Sequence, residues 1–380
     1  MWQIFKQTNY QFIKYTRIWV SLSILAAVVS IGAYVAKGGF NYGIDFAGGT
    51  QLTLKFSQKP NLNEMRKLMG ELNMGDVVIQ EFDEEGLNEI MIRIENTGEE
   101  GDIAGSVLSH LHQQLSPGAG EMDLNFMGRD ALAQNLESIL PGRDEEAEQV
   151  AAAVASFKKS HGIITSMDDL SREESIPDDM ASILKEKFTL GSFALMGAEN
   201  VGPKVGKDLR SKAQSAIIWS LFGMLFYIWI RFRHFAYGFG AIVATFHDVI
   251  ITLGVFVVLG LEINLTVVAA LLTLVGYSVN DTVVVFDRIR ETLRKSRRQD
   301  FPTLVNQAIN ETLSRTIITS GTTFLTVLSL YILGGDVIRN FAFTLVIGIF
   351  IGTYSSIYIA SPVVIFIHKF AERKRQAKRK

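Results

Sequence analysis

Three positions place ionisable side chains inside stretches apolar enough to face lipid. His247 and Asp248 stand together near the middle of the run Ala236–Gly260. Asp281, with Asn280 beside it, lies six residues past the centre of Ile263–Phe286, roughly 9 Å along a helix axis. Arg315 precedes the run Ile317–Leu333, and Thr319, Thr322 and Thr326 continue from it at i+4, i+7 and i+11 on one helix face. A charge at the bilayer centre costs about 2.5–3.5 kcal/mol on insertion scales, so each such residue needs a reason. Burial favours the neutral form of a carboxyl, and a neighbouring guanidinium favours the charged form. The runs that carry Asp281 and Arg315 are consecutive, hence antiparallel, and the two depths can overlap. An aspartate whose arginine partner moves would therefore take up and release a proton. Plainer roles stand beside this one: a snorkelling Arg315, an inter-helix polar contact for Asp281, and a packing hydrogen bond for His247–Asp248.

Other chemistries lack their residues. No nucleophile triad, HExxH, P-loop or GxGxxG stands out, and there is no cysteine for disulfide, iron–sulfur or thiol chemistry. The expectation is a protein that is not an enzyme and holds no cofactor and no metal. Without a nucleotide site, any work it does must be powered from outside the chain.

The elements that must position these residues are membrane spans. Of 380 residues 48% are hydrophobic and 20% charged, and nearly all the long apolar runs lie outside 40–212. About 20 apolar residues cross the hydrocarbon. Six runs qualify: Ile18–Ala36, Ala213–Ile230, Ala236–Gly260, Ile263–Phe286, Ile317–Leu333 and Phe341–Ile367. Lys6, Lys14 and Arg17 before the first also fit a signal peptide, but the run is long for an h-region and no A-x-A site follows, which favours an uncleaved anchor. Gly348, Gly352 and Ser356 form a small-xxx-small ridge that lets helices approach closely. Lys and Arg concentrate in 231–234, in 287–315 and in the tail from His368, whereas the connectors near Leu261 and Gly334 are nearly free of them. By the positive-inside rule both termini are cytoplasmic and 37–212 lies outside. The basic tail would rest against anionic lipid. The expected layout is 1–36 (N-terminus and first span), 37–212 (extracytoplasmic domain), 213–367 (five further spans) and a basic tail at 368–380.

Within 37–212, Gln51–Phe56 alternates as a strand. Asn61 caps a helix toward Leu72 with Glu64 at the capping-box position. Val77–Phe82 and Glu89–Glu95 follow as strands joined through Gly86, then a helix at Ile103–Leu115 and a strand at Ser192–Glu199. This β-α-β-β-α-β order predicts a ferredoxin-like α+β domain. It is interrupted by a helical insertion at about 116–189, notably Glu145–Ser160 closing at His161–Gly162, with Ser166 capping toward Asp169. The insertion is similar to a helix–hairpin–helix, but it would face away from the cytoplasm, and nucleic acid is not an expected partner.

Several segments resemble one family. Asp45-Phe46-Ala-Gly48-Gly49-Thr50 resembles the D-F-x-G-G-T signature that follows the first span in the SecD/SecF family. Val201–Leu209, the pair His247-Asp248, Gly276–Glu291 and Leu313–Thr323 resemble its later motifs in the family's order. One six-span unit with a single modest outer domain looks like the SecF side, and the helical insertion departs from it. The resemblance implies an accessory subunit of the Sec translocase in a bacterial inner membrane. It implies SecD, the SecYEG channel and a translocating preprotein as partners, with YajC and YidC as further candidates. It implies use of the proton-motive force, with Asp281 and Arg315 at proton-pathway positions and Asn280, Asp248 and His247 beside them. Asp45, Phe46, Gly48, Gly49 and Thr50 would couple the outer domain structurally. Two rivals stay open: half of an RND-type exporter of small molecules or lipids, and a non-transporting translocase scaffold.

Overall fold

The computed structural model describes residues 8–75, 77–81, 88–95, 102–232, 234–295 and 299–377. The expected link through Gly86, and Phe82, lie outside them. The chain divides into two units, Ile44–Asp208 and the remainder.

In chain order α1 (Thr16–Ala36) comes first and belongs with the later helices; the unit Ile44–Asp208 then has α2 (Ile44–Ala47), β1 (Gly49–Phe56), α3 (Leu62–Glu71), β2 (Val77–Glu81), β3 (Glu89–Ile94) and α4 (Ile103–Leu115). A helical lobe follows, with α5 (Arg129–Ile139), α6 (Asp144–His161), α7 (Met167–Leu170) and α8 (Asp178–Lys187), before β4 (Phe193–Val201) closes the unit. The sheet order is β2-β3-β1-β4, and every neighbouring pair is antiparallel. Leu52, Leu54 and Phe56 alternate inward along β1 and bury against Met65 and Met69 of α3 and Val107 and Leu111 of α4, so both helices cover one face. Asn61 starts α3 by accepting from Asn63 N and Glu64 N. The lobe has its own core, in which Leu132 and Leu136 of α5 meet Val150 and Val154 of α6 and Met180 and Leu184 of α8.

The turn before β1 explains its glycines. Gly48 and Gly49 have φ of +79° and +136°, and a Cβ on Gly49 would lie 2.4 Å from the Ile94 carbonyl oxygen. Gly206 in turn comes so close that a Cβ there would sit 3.0 Å from Gly48 N. Phe46 and Thr50 of the same turn are buried. Gly49→Ala combines a left-handed backbone with a clash and is expected to cost roughly 2–3 kcal/mol. The check is thermal unfolding of the full chain in detergent, with an unchanged midpoint counting against this role.

The second unit is a bundle. After α1 come α9 (Pro203–Phe232), α10 (Phe235–Leu259), α11 (Leu265–Lys295), α12 (Phe301–Leu333), α13 (Asp336–Ser355) and α14 (Ser361–Ala377), with a π-helical turn at Ser356–Ala360 between the last two. Six helices among the described residues are long and apolar enough to cross a membrane, α13 through α14 counting as one. The helices outrun their apolar stretches. α9 begins at Pro203 rather than near Ala213, and 287–315 is not a loop, since α11 continues to Lys295 and α12 starts at Phe301. Ion pairs make these polar extensions favourable: Arg288 pairs with Glu291 and Glu311, and Lys295 with Glu291. Asp300 caps α12 by accepting from Thr303 N.

Candidate functional site: carboxylates inside the helix bundle

Asp248 on α10 is fully buried, which an ionisable group tolerates only with partners. It has three. Ser278 of α11 donates to Oδ2 at 2.5 Å and Ser355 of α13 donates to the same oxygen at 2.8 Å. His247 Nδ1 stands 3.0 Å from Oδ1, although consecutive residues on a helix usually face apart. The His247 ring lies 6.2 Å from that of Tyr354, whose hydroxyl reaches Ser23 Oγ (2.6 Å) and the Trp19 carbonyl (2.7 Å) of α1.

The ridge of small residues makes these contacts possible. A Cβ on Gly352 would lie 3.1 Å from Ser278 Cβ and 3.5 Å from Asp248 Oδ2, and one on Gly348 would strike Leu274 at 2.5 Å. α13 and α11 therefore touch almost backbone to side chain. Ser356, the third member of the ridge, is buried at the head of the π turn, where Ser361 Oγ donates to its carbonyl at 3.0 Å.

Asp281 stands three residues after Ser278, on the neighbouring part of the same buried face of α11, and is 3% exposed. Its hydrogen-bond partner is Ser320 of α12, at 2.8 Å. Arg315 is near enough for its charge to act on the Asp281 carboxylate, yet among the described residues it makes no ion pair. Arg315 and Asn280 instead line an open cleft of about 880 Å³. α11 thus runs between two carboxylate–hydroxyl contacts, one to α10 and α13, the other to α12.

The polar residues of α12 fall into two sets. Arg315 stands just before the apolar run of α12 and well inside the helix, which polar residues extend back to Phe301. The stripe Thr319, Thr322, Thr326 lies on a partly exposed side of α12. Those hydroxyls donate back to the carbonyls of Arg315, Ile318 and Thr322 at 2.8–3.0 Å, and Thr322 and Thr326 are exposed. The buried polar residues of α12 are Thr312, Thr316 and Ser320. Thr316 Oγ1, Thr252 Oγ1, Tyr277 Oη and His247 Nε2 are buried without a hydrogen-bond partner among the described residues. No group of three or more His, Cys, Asp or Glu that could hold a metal occurs among them.

The comparisons with known proteins decide the family. Over 379 residues the chain is 42% identical to the protein translocase subunit SecF of Koribacter versatilis, covering 96% of this chain and 93% of that protein. The chain belongs to the SecF family. The SecF of Calditerrivibrio nitroreducens is 38% identical over 96% of both chains. The family model for the C-terminal part of SecD/SecF export membrane proteins matches residues 180–370, and that for the SecD/SecF GG motif matches residues 35–60. The latter region holds the Gly48–Gly49 turn. Among solved structures, the translocon-associated SecDF of Thermus thermophilus superposes with a TM-score of 0.66 at 29% identity, covering 97% of this chain and 40% of that one. SecDF in a super-membrane-facing form gives 0.57 at 29% identity. The chain thus spans about two fifths of the solved SecDF chains but nearly the whole of its SecF relatives. SecF proteins are transport components, and this member is a multi-pass membrane protein.

Proposed function

We propose that the chain acts as the SecF subunit of a Sec preprotein translocase in a bacterial cytoplasmic membrane, working with a SecD-like partner and the channel, and that it uses the proton-motive force. The observation that carries this reading is Asp281, a buried carboxylate held by one hydroxyl of the next helix, with a guanidinium close by but unbonded. Such a group can exchange one partner for another, and a site of this kind biases an existing equilibrium between helix arrangements. The partnerless hydroxyls of Thr252, Tyr277 and Thr316 supply further buried polar positions on the three helices that carry Asp248, Asp281 and Ser320. Asp248 and His247 are assigned a supporting part, fixing α10 against α11 and α13. The basic ends of α11 and α14 support cytoplasmic termini and, with them, an outer position for 44–208. We assign that unit to the ferredoxin-like class on its strand order and its two helices on one face. A role for YajC and YidC rests on the family resemblance alone. The exporter alternative is not favoured, since the SecF relatives match from end to end.

The test is export of a secreted reporter in cells depleted of their own SecF and complemented with this chain. Arg315→Ala, at matched level and still associating with SecD, is expected to leave export at the depleted level. Full rescue by this variant would make the chain a scaffold.

A further inference from the structure

The cleft that Arg315 lines carries an excess of positive charge. Arg231, Arg288, Arg290, Arg294 and Arg315 face it together with Asp287, Glu291 and Glu311. Five arginines less three carboxylates leaves an excess of two positive charges. The pairing is uneven. Arg231 holds Asp287 at 2.6 Å, and Arg288 holds both Glu291 and Glu311 at 2.5 Å, which uses all three carboxylates. Arg290, Arg294 and Arg315 make no ion pair among the described residues.

A second concavity continues from the first. It shares Asn280 and Val283 with the cleft, holds about 330 Å³, and runs between α9 and α11 past Tyr227, Met224 and Val279. Its far end is formed by Gly223 and Gly276, where an added Cβ would meet no atom within 4 Å. From Asp287 to Gly276 α11 advances about 16 Å, close to the ~15 Å of hydrocarbon in one leaflet. A cationic mouth at the polar end of the helices therefore opens into an apolar groove one leaflet deep.

We propose that mouth and groove together hold one anionic phospholipid, with its phosphate against Arg290, Arg294 and Arg315 and one acyl chain lying along Gly223 and Gly276. Charge complementarity selects the head, since the spare guanidiniums match phosphate oxygens in fork geometry. The groove selects a lipid over a free phosphate, which would leave its apolar walls unused. Arg315 is shared with the proton reading, so the test substitutes Arg290 and Arg294, which have no part in it.

The experiment uses the full chain purified in mild detergent and exchanged into phosphatidylglycerol, phosphatidylcholine or inorganic phosphate at matched concentrations. Retained lipid is counted by native mass spectrometry and the melting temperature is followed. Phosphatidylglycerol is expected to stay bound and raise the melting temperature, and the other two to do neither. Arg290→Gln with Arg294→Gln is expected to weaken retention about 10–30-fold, from ~1 kcal/mol per arginine at the membrane surface. Gly223→Leu fills the groove and is expected to weaken it as well, with both arginines intact. If the double variant melts low without lipid, Arg294→Gln alone decides, because that side chain is exposed and unpaired among the described residues. Equal effects of phosphatidylcholine, equal effects of phosphate, or retention unchanged in the variants would each overturn the proposal. So would loss of the bound lipid on assembly with the SecD-like partner, which would give the groove to a partner helix.

Discussion

Asp281→Asn is expected to abolish the chain's contribution to export while leaving its fold and its assembly intact. Asparagine has nearly the volume of aspartate and can still accept from Ser320, so the 2.8 Å contact between α11 and α12 can persist. What it cannot do is carry a proton or change charge. If proton exchange at this position drives the cycle, the loss is complete, and export of a secreted reporter falls to that of cells lacking the chain. Ser320→Ala is the instructive comparison. It removes one hydrogen bond, worth about 1 kcal/mol, and leaves the carboxyl titratable, so export should fall only severalfold. A purely structural Asp281 predicts the opposite order, because Asn keeps the contact and Ala breaks it. Measuring the two variants side by side, at equal protein level, separates the readings. Export by Asp281→Asn at the parental rate would remove the proton role.

Asn125→Ala is expected to unfold the helical lobe. Asn125 is 1% exposed and closes the lobe on itself: its amide donates to the carbonyls of Ile164 and Gly191, both at 3.0 Å, and its oxygen accepts from Ile164 N at 2.9 Å. Alanine would leave one N–H and two carbonyls buried and unpaired, at about 1–3 kcal/mol each, or roughly 3–9 kcal/mol together. Two neighbouring contacts depend on the same loop. Lys158 donates to the carbonyls of Leu124 and Met127 at 2.8 Å, in surroundings that push its ammonium below the usual lysine range through burial. Asp123 accepts from Gly191 N and Asn125 N at 2.8 Å and meets His112 Nε2 at 2.9 Å. Hydrogen exchange should rise across α5 to α8 while the amides of α10 and α11 stay protected. Unchanged exchange in α6 and α8 would show that the lobe core holds without this clasp.

Much of this was legible in the residues. Apolar length alone located the six spans, and the cost of buried charge marked Asp248 and Asp281. Strand alternation and the Asn61 cap gave β1 and α3 to within a residue or two. The hydroxyl partners were not legible. A hydroxyl in a membrane helix can satisfy itself on the carbonyl one turn back, as Thr245 and Thr282 do, so nothing in their type says that Ser278, Ser320 and Ser355 reach across to a carboxylate. The threonines at 319, 322 and 326 of α12 do satisfy themselves in that way. Helix length was also hidden, because ion pairs such as Arg288–Glu311 join residues on two helices and leave no periodic trace. The lobe's clasp depends on Asn125, Ile164 and Gly191, which are far apart in sequence, and only folding brings them together.

The π-helical turn at Ser356–Ala360 fixes the phase of everything after it. A π turn takes in one residue more than an α turn, so the side chains that follow are rotated by about 100° from where an unbroken α-helix would aim them. Val364 and Ile365 are buried with that offset in place. Deleting one residue from the turn would swing α14 by the same angle, expose these two side chains and present their neighbours to the core. The last span therefore consists of two helical faces out of step: the first is set by Gly348, Gly352 and Ser355 against α11 and Asp248, the second by the core contacts of α14.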